Sequence, residues 1–368
     1  MRIRLSSPVA VGKIAGLLHC KKLTYRIARK FIPYERKDVE LVPLDSFHKD
    51  GGRSCVISHR IPDTFDYDLQ IIVPVYNTGK YLAQCLDSVL GSETSYKYII
   101  YCINDGSTDN SGAILEEYAG DERVVIINQA NGGISAARNA GLDNIVAPYL
   151  MFIDSDDTID RHAIDSLLRA AFDSNADIVQ GEFLYCLKNG IKKRAHVRNS
   201  DFLPGFAHGK VLKSRLFERV GFPEGYWFED FLTNLILVPL AERIKIIDDI
   251  VYYYRQNDKG IFFQSKTNVK VIDSFWVLKK LVEDMEILGI EKNMEYYHVV
   301  LDKIKTCARL SMELGNISVD MSLFYACRQL ITNQFREYVG QGKYLPEMEA
   351  ALVSGNYPLF RISCIFEQ

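Results

Sequence analysis

Between Leu69 and Tyr185, short β-rich apolar runs alternate with stretches of helical periodicity, and this alternation restricts the fold more than any other feature of the chain. Strands are expected over Leu69–Val75, Tyr98–Asn104, Val124–Asn128, Tyr149–Ile153 and Asp177–Tyr185. Nearly every position in these runs is apolar, as happens when both faces of a sheet are covered. The intervening segments set apolar residues three and four apart, for example Tyr81, Leu82, Cys85, Leu86 and Val89, which predicts helices over 80–90, 110–119, 135–144 and 161–172. Strand and helix in alternation mean βαβ units, hence an α/β fold with a mostly parallel sheet flanked by helices.

The 368 residues, 48% of them hydrophobic, suffice for one large domain and a smaller one. We expect an α/β domain over residues 67–256 and a helical C-terminal region over 257–368, with Phe275, Leu278, Leu281 and Met285 on one helical face. Between strand and C-terminal helices lie a hairpin turn at Lys188-Asn189-Gly190 and an amphipathic piece from Lys210 to Val220. A formal net charge of −3 gives no global attraction to nucleic acid. Residues 1–66 form a basic, partly helical extension, in which residues 1–37 carry ten Lys or Arg against the single acid Glu35. Its 13–32 segment reads as a basic amphipathic helix that either rests on an anionic membrane surface or packs on the α/β domain; both remain open. Eight cysteines without a Cys-x-x-Cys pair suit reduced, cytoplasmic thiols. No apolar stretch is long enough to span a bilayer, and the N-terminus does not read as a signal peptide.

Ligands of parallel α/β sheets collect at the carboxyl ends of the strands. Here the first strand runs through Pro74 into Tyr76-Asn77, the second into Asn104-Asp105-Gly106-Ser107-Thr108-Asp109, and the third into Asn131-Gly132-Gly133. The fourth ends in Asp154-Ser155-Asp156-Asp157. Carboxylates crowded in this way repel unless a cation or hydrogen-bond donors compensate, which points to a divalent metal, although Asp157 or Thr158 could simply cap the next helix. Asn104–Asp109 is also good turn chemistry, Tyr76 could be an ordinary loop aromatic, and Arg138 could be a surface arginine or could reach a base or phosphate. Farther on, Glu229-Asp230 follows the aromatic run Gly225-Tyr226-Trp227-Phe228 and opens a helix, where two acids are also favourable for the helix dipole.

Ile71-Ile72-Val73-Pro74-Val75-Tyr76-Asn77, the Asn104–Asp109 run, Asn131-Gly132-Gly133 with Ala137-Arg138-Asn139-Ala140-Gly141, and Asp154-Ser155-Asp156-Asp157 together resemble family 2 glycosyltransferases of the GT-A fold. The resemblance covers about residues 67 to 256. It implies a nucleotide-sugar donor, most often a UDP-sugar, contacted by Pro74 and Tyr76, with Asp105 accepting from the uracil, Arg138 facing the nucleoside, and Asp154 and Ser155 by the ribose. Asp156 would coordinate Mn²⁺ or Mg²⁺ between the diphosphate oxygens. Asp230 would be the base that takes the acceptor proton, with Glu229 an acceptor contact or orienting group. The acceptor would be a saccharide or a lipid-linked saccharide in surface polysaccharide synthesis. His208-Gly209-Lys210 would lie near donor or acceptor, and one of Arg255, Gln256 or Asn257 would meet the diphosphate or metal. The Gln-x-x-Arg-Trp signature of processive members is absent, which implies one sugar per encounter. A nucleotide-sugar-forming nucleotidyltransferase would need a glycine-rich phosphate loop after the first strand, and a catalytically silent binding protein would have lost Asp156 or Asp230. The C-terminal helices could hold the acceptor, form an oligomer interface or cover the core.

Overall fold

The computed structural model describes residues 41–47, 52–187, 190, 192–197, 203–257, 260, 264–265 and 267–367. The helix expected over 13–32 and most of the 188–190 turn lie outside them. Strands β1 (Leu69–Val75), β2 (Tyr98–Asp105), β3 (Val124–Gln129) and β4 (Tyr149–Phe152) are parallel, in the order β3-β2-β1-β4. Every residue of β1 is buried, the outcome that a continuous apolar run between two helical layers requires. Helices α1 (Gly79–Leu90), α2 (Ser111–Tyr118) and α3 (Ile134–Leu142) make the crossovers. Because α3 approaches β1 closely, a Cβ on Gly141 would stand 2.6 Å from Ile72 Cγ2.

The chain moves outward from β1 to β3 and then returns to lay β4 against the other side of β1. Such a reversal leaves a crevice beyond the carboxyl ends of the two central strands. Pro74 is tolerated in this central strand because the β1–β4 pairing stops at Ile72–Phe152. Ile72 O accepts from Ile153 N on the β4 side, and Pro74, two residues on, turns its donorless nitrogen toward the same side, where β4 has already diverged.

The second half of the sheet is mixed. The Lys210–Val220 piece proves to be strand β8 (Lys210–Lys213), antiparallel to β4, followed by a 3₁₀ turn over Ser214–Phe217. Strand β6 (Ile178–Cys186) pairs with β8, with the edge strand β7 (Lys192–Ala195) and, in parallel, with the long β9 (Ile244–Arg255). The short β5 (Thr158–Ile159) closes on β9. Register shifts in the β6–β9 ladder between Gln180 and Phe183 bend the pair, and β9 ends with Arg255 beside the Asp154–Asp157 turn.

Helices over Ala163–Ser174, Asp273–Leu288, Met294–Leu314, Ile317–Gln334, Pro346–Ser354 and Tyr357–Phe366 complete the described chain. Phe275, Leu278, Leu281 and Met285 are buried as their spacing predicts. The C-terminal helices join the α/β core through polar contacts as well as apolar ones: Asp273 Oδ2 accepts from Trp227 N at 3.0 Å, and Asp284 Oδ2 accepts from Cys55 N at 2.8 Å. Residues 53–59 lie along 218–224, paired through Arg53 N to Glu224 O, Gly221 N to Cys55 O and His59 N to Glu218 O. No helix of the described residues is long and apolar enough to cross a membrane.

Gln70, fully buried in β1, ties the strand to the end of α3. Its Nε2 donates to Gly141 O (2.7 Å) and Asn144 O (3.2 Å), and its Oε1 accepts from Val146 N (3.0 Å). Gln70→Leu keeps the volume but strands these backbone groups, so urea denaturation should show a loss of about 2–4 kcal/mol with an unchanged m-value.

Candidate active site

The loops after β1 and β2 are joined by polar side chains. Asn77 adopts φ +53, a left-handed conformation that asparagine tolerates, and its Oδ1 accepts from Thr108 N (2.8 Å) and Asp109 N (3.2 Å). Asp109 in turn accepts from Gly79 N and Ser111 N, at 3.0 and 2.9 Å. Tyr76 is thereby held at the mouth of the crevice with its ring exposed. Asp105 is buried, and its carboxylate accepts from Gly132 N (2.8 Å), Gly133 N (2.9 Å) and Gln129 Nε2 (2.8 Å). It organises the loop leading into α3; Oδ1 accepts two of these bonds, and Oδ2, which accepts one, keeps lone-pair capacity toward a ligand.

Asp154, Ser155, Asp156 and Asp157 separate by partner. Ser155 is buried and its Oγ accepts from Thr78 Oγ1 at 2.9 Å. Asp154 N donates to Tyr252 OH at 3.1 Å. Asp156 Oδ2 accepts from Asn257 Nδ2 at 2.7 Å, and Arg255 Nε donates to the Asp156 carbonyl at 2.8 Å. Of the three residues left open at the end of β9, Arg255 and Asn257 therefore have direct contacts here. Asp157 is not the cap that its position suggested. The helix begins only at Ala163, after His162, whose side chain makes no cap bond, while Asp157 is buried and accepts from Arg255 N at 2.6 Å. The turn between them is long enough for β5, so the carboxylate is carried to β9 and away from the helix.

Burial, and next the charge of Asp154, push the Asp156 carboxyl above the ordinary range; burial followed by Asp156 and Asp154 push Asp157 well above it. A cluster that strains against its own charge, built from hard oxygen donors, fits a divalent cation such as Mg²⁺ or Mn²⁺. Among the described residues no three His, Cys, Asp or Glu side chains converge on an ion position.

Arg138, which the resemblance implies would face the nucleoside, is bound to acids of the crevice. Its guanidinium is buried, with 2% of the side chain exposed, and it holds three carboxylates: Nη2 donates to Asp154 at 3.0 Å, and Nη1 to Glu229 at 2.7 Å and Asp230 at 3.3 Å. Phe222 covers its other side, with the ring centroid 5.0 Å away. Burial opposes the charge, but Asp230, Asp154 and Glu229 outweigh it and raise the arginine pKa above its usual value. Glu229, buried and next to Asp230, is pushed up to about 7. Burial also raises Asp230, with Arg138 acting in the opposite direction.

The backbone around Glu229-Asp230 is unusual. Phe228 has φ +66, a conformation that costs a non-glycine residue. The helix that the two acids open contains a π-helical turn over Thr233–Leu237, a form concentrated at functional sites. Both irregularities are anchored from the C-terminal region. Asp273 holds Trp227 N, and Lys303 Nζ donates to Asn234 Oδ1 at 2.8 Å, while Asn234 Nδ2 donates to Leu203 O at 2.9 Å. His208 stacks on Tyr252 with centroids 4.3 Å apart, and the ammonium of Lys210 is buried among the carbonyls of Pro204, Phe206 and His208. Burial lowers the His208 imidazole to about 3 and the Lys210 ammonium to about 7. Sequence reasoning missed Thr78 and Lys303, because neither sits in a motif; each is identified only by the partner that folding brings to it.

A curled mixed sheet whose central strands end in this acidic crevice defines an α/β protein of the GT-A class. Its residues 70–232 match the model of the family described as glycosyl transferase family 2. Over 215 residues it is 35% identical to the glycosyltransferase GlyA of Streptococcus pneumoniae, an alignment covering 52% of this chain and 31% of GlyA. The chain thus spans about a third of that relative's length. Among solved structures, the fold is similar to Staphylococcus aureus TarS 1–349 in complex with UDP-GlcNAc, with a TM-score of 0.61 and 19% identity over 80% of this chain and 90% of that one. It is similar also to the mannosyltransferase PcManGT from Pyrobaculum calidifontis in complex with GDP-Man and Mn²⁺, with a TM-score of 0.50 and 15% identity over 95% and 97% of the two chains.

Removing Arg138 would leave three carboxylates facing one another. Arg138→Leu should cost about 3–5 kcal/mol at neutral pH. Arg138 holds the raised Glu229 and Asp230 carboxyls down, so without it their folded-state pKa values rise further and the deficit relative to wild type should shrink as pH falls and these acids take up protons. Denaturant titrations of both proteins at pH 5 and pH 7.5 check the sign.

Proposed function

We propose that this protein transfers a single sugar, with inversion, from a nucleotide-sugar donor, a UDP-sugar, to a hydroxyl of a saccharide or lipid-linked saccharide acceptor, and that it does so in surface polysaccharide synthesis. The observation that carries this reading is the placement of Arg138, whose one guanidinium binds both Asp154, at the end of β4, and the Glu229-Asp230 pair. A group suited to the donor and a group suited to the acceptor are thereby fixed with respect to each other, as a direct displacement requires. The donors found in complexes of TarS and PcManGT, UDP-GlcNAc and GDP-Man, are in keeping with it.

In this reading the donor diphosphate lies over the Asp154–Asp157 turn, with Tyr76 against the base, Pro74 beneath it, Asp105 toward its ring edge, and Asp154 and Ser155 by the ribose. Asp156 would hold a divalent cation with Asn257 beside it, and the ion would neutralise charge on the departing diphosphate. Asp230, with 28% of its side chain exposed, takes the proton of the acceptor hydroxyl as that oxygen bonds to the anomeric carbon and the bond to the diphosphate breaks. Glu229, nearly closed off from solvent at 5% and raised to about 7, orients Arg138 and keeps the negative charge on its neighbour. The enzyme is non-processive.

Asp156→Ala should abolish metal-stimulated hydrolysis of UDP-sugars, and metal dependence retained in the variant would contradict its role. Asp230→Asn should leave UDP affinity by calorimetry close to wild type while transfer falls by about two orders of magnitude or more. A raised carboxyl pKa means that the base is lost as pH falls through it. The acid limb of kcat/KM should therefore lie above the ordinary aspartate value of about 4, and a limb at or below that ordinary value would argue against Asp230 as the base.

A further inference from the structure

The peptide joining Phe206 to Ala207 is held at both ends by charged groups. Its carbonyl oxygen accepts from the Lys210 ammonium, and its N–H donates to Asp230 Oδ1 at 3.3 Å. Lys210 is itself fully buried and bound to the carbonyls of Pro204 and His208, each at 3.3 Å. A donor on the oxygen and an acceptor on the N–H match the peptide dipole, so this segment is fixed relative to the carboxylate.

The Phe206 ring continues a stack that rises from the sheet. Tyr252 of β9 is fully buried, His208 lies on it at 4.3 Å and 10°, and Phe206 lies on His208 at 4.9 Å and 8°. Phe183 meets the stack edge-on, 6.2 Å from Phe206 and 5.7 Å from His208. The stack ends in solvent, with Phe206 37% exposed. Single exposed aromatics are ordinary on protein surfaces. This one has lost its rotational freedom to the rings below and its backbone freedom to Lys210 and Asp230, so a ligand that covers it has little ordering cost left.

We infer that Phe206 is the platform of an acceptor subsite, on which the apolar C–H face of a pyranose ring stacks with one of its hydroxyls directed at Asp230. The inference rests on the sugar-transfer reading and names its acceptor class as a ring sugar, in preference to an acyclic polyol. A flat, pinned ring whose adjoining peptide donates to Asp230 suits a flat, partly apolar ligand, and that carboxylate supplies the acceptor for a hydroxyl proton. Phe206 is a specificity-determining residue here, and the catalytic proton transfer belongs to Asp230.

The test compares wild type with Phe206→Leu, which keeps apolar bulk without a flat face, and Phe206→Trp, which keeps the face. Circular dichroism and melting temperatures establish that both variants fold. Saturation-transfer NMR and titration with methyl β-glucopyranoside, methyl β-galactopyranoside, methyl β-N-acetylglucosaminide and sorbitol are run with and without UDP, whose own affinity is measured by calorimetry. The expected result is binding of at least one pyranoside through its C–H face, weakened about tenfold or more in Phe206→Leu and preserved in Phe206→Trp, with sorbitol not bound and UDP affinity unchanged. Equal pyranoside affinity in wild type and Phe206→Leu, or no pyranoside binding to wild type, overturns the platform. Failure of wild type to bind UDP or UDP-sugars would instead remove the donor reading, and the pyranoside comparison without UDP would still decide the role of Phe206.

Discussion

The arrangement of this protein depends on one buried cation. Arg138 is placed inside the fold on α3, and its charge is tolerable there because Asp154, Glu229 and Asp230 surround it. The reverse holds equally: three carboxylates could not share that interior without the guanidinium. Such mutual dependence contributes little net stability when compared with an apolar replacement, since desolvation offsets most of the attraction. What it contributes is geometry, because a planar fork fixes the bearing of each acid that it binds. The β4 end and the Glu229-Asp230 turn lie more than seventy residues apart in sequence, and this contact sets their separation.

A second layer of support comes from the C-terminal helices. Asp273 holds the backbone at Trp227, just before the left-handed Phe228, and Lys303 reaches Asn234 in the π-helical turn and lies over the Phe231 ring at 5.2 Å. Strained backbone persists where its surroundings over-determine it, and here those surroundings include helices beyond the matched domain. Whatever else these helices do, they brace the turn that presents Glu229 and Asp230.

Much of the architecture could be read from the chain. The first five expected strands lie within a residue of those observed, and the four helices around them within two residues, because burial between two layers imposes its period on every local segment. Lys210–Val220 did not yield to the same approach. A lysine at its start suggests an exposed position, yet Lys210 is fully buried, and a strand that lies between β4 and β6 has its place decided by those partners and not by its own periodicity. Asp157 failed as a cap for a related reason, since the carboxylate finds Arg255 of β9, nearly a hundred residues on.

The sequence by itself determined the βαβ order and the strand ends at which polar residues and acids such as Asp154 and Asp156 would gather, both of which depend on local patterns of burial and charge. Only the tertiary structure decided how these acids are divided: Arg138 drawn inward to Asp154, Glu229 and Asp230, Asn257 to Asp156, Arg255 to Asp157, and the Phe206–Ala207 peptide clamped between Lys210 and Asp230. A charged side chain within reach of several partners is assigned by distance and by burial. Neither quantity exists until the sheet has curled and β8, β9 and the C-terminal helices have closed around it.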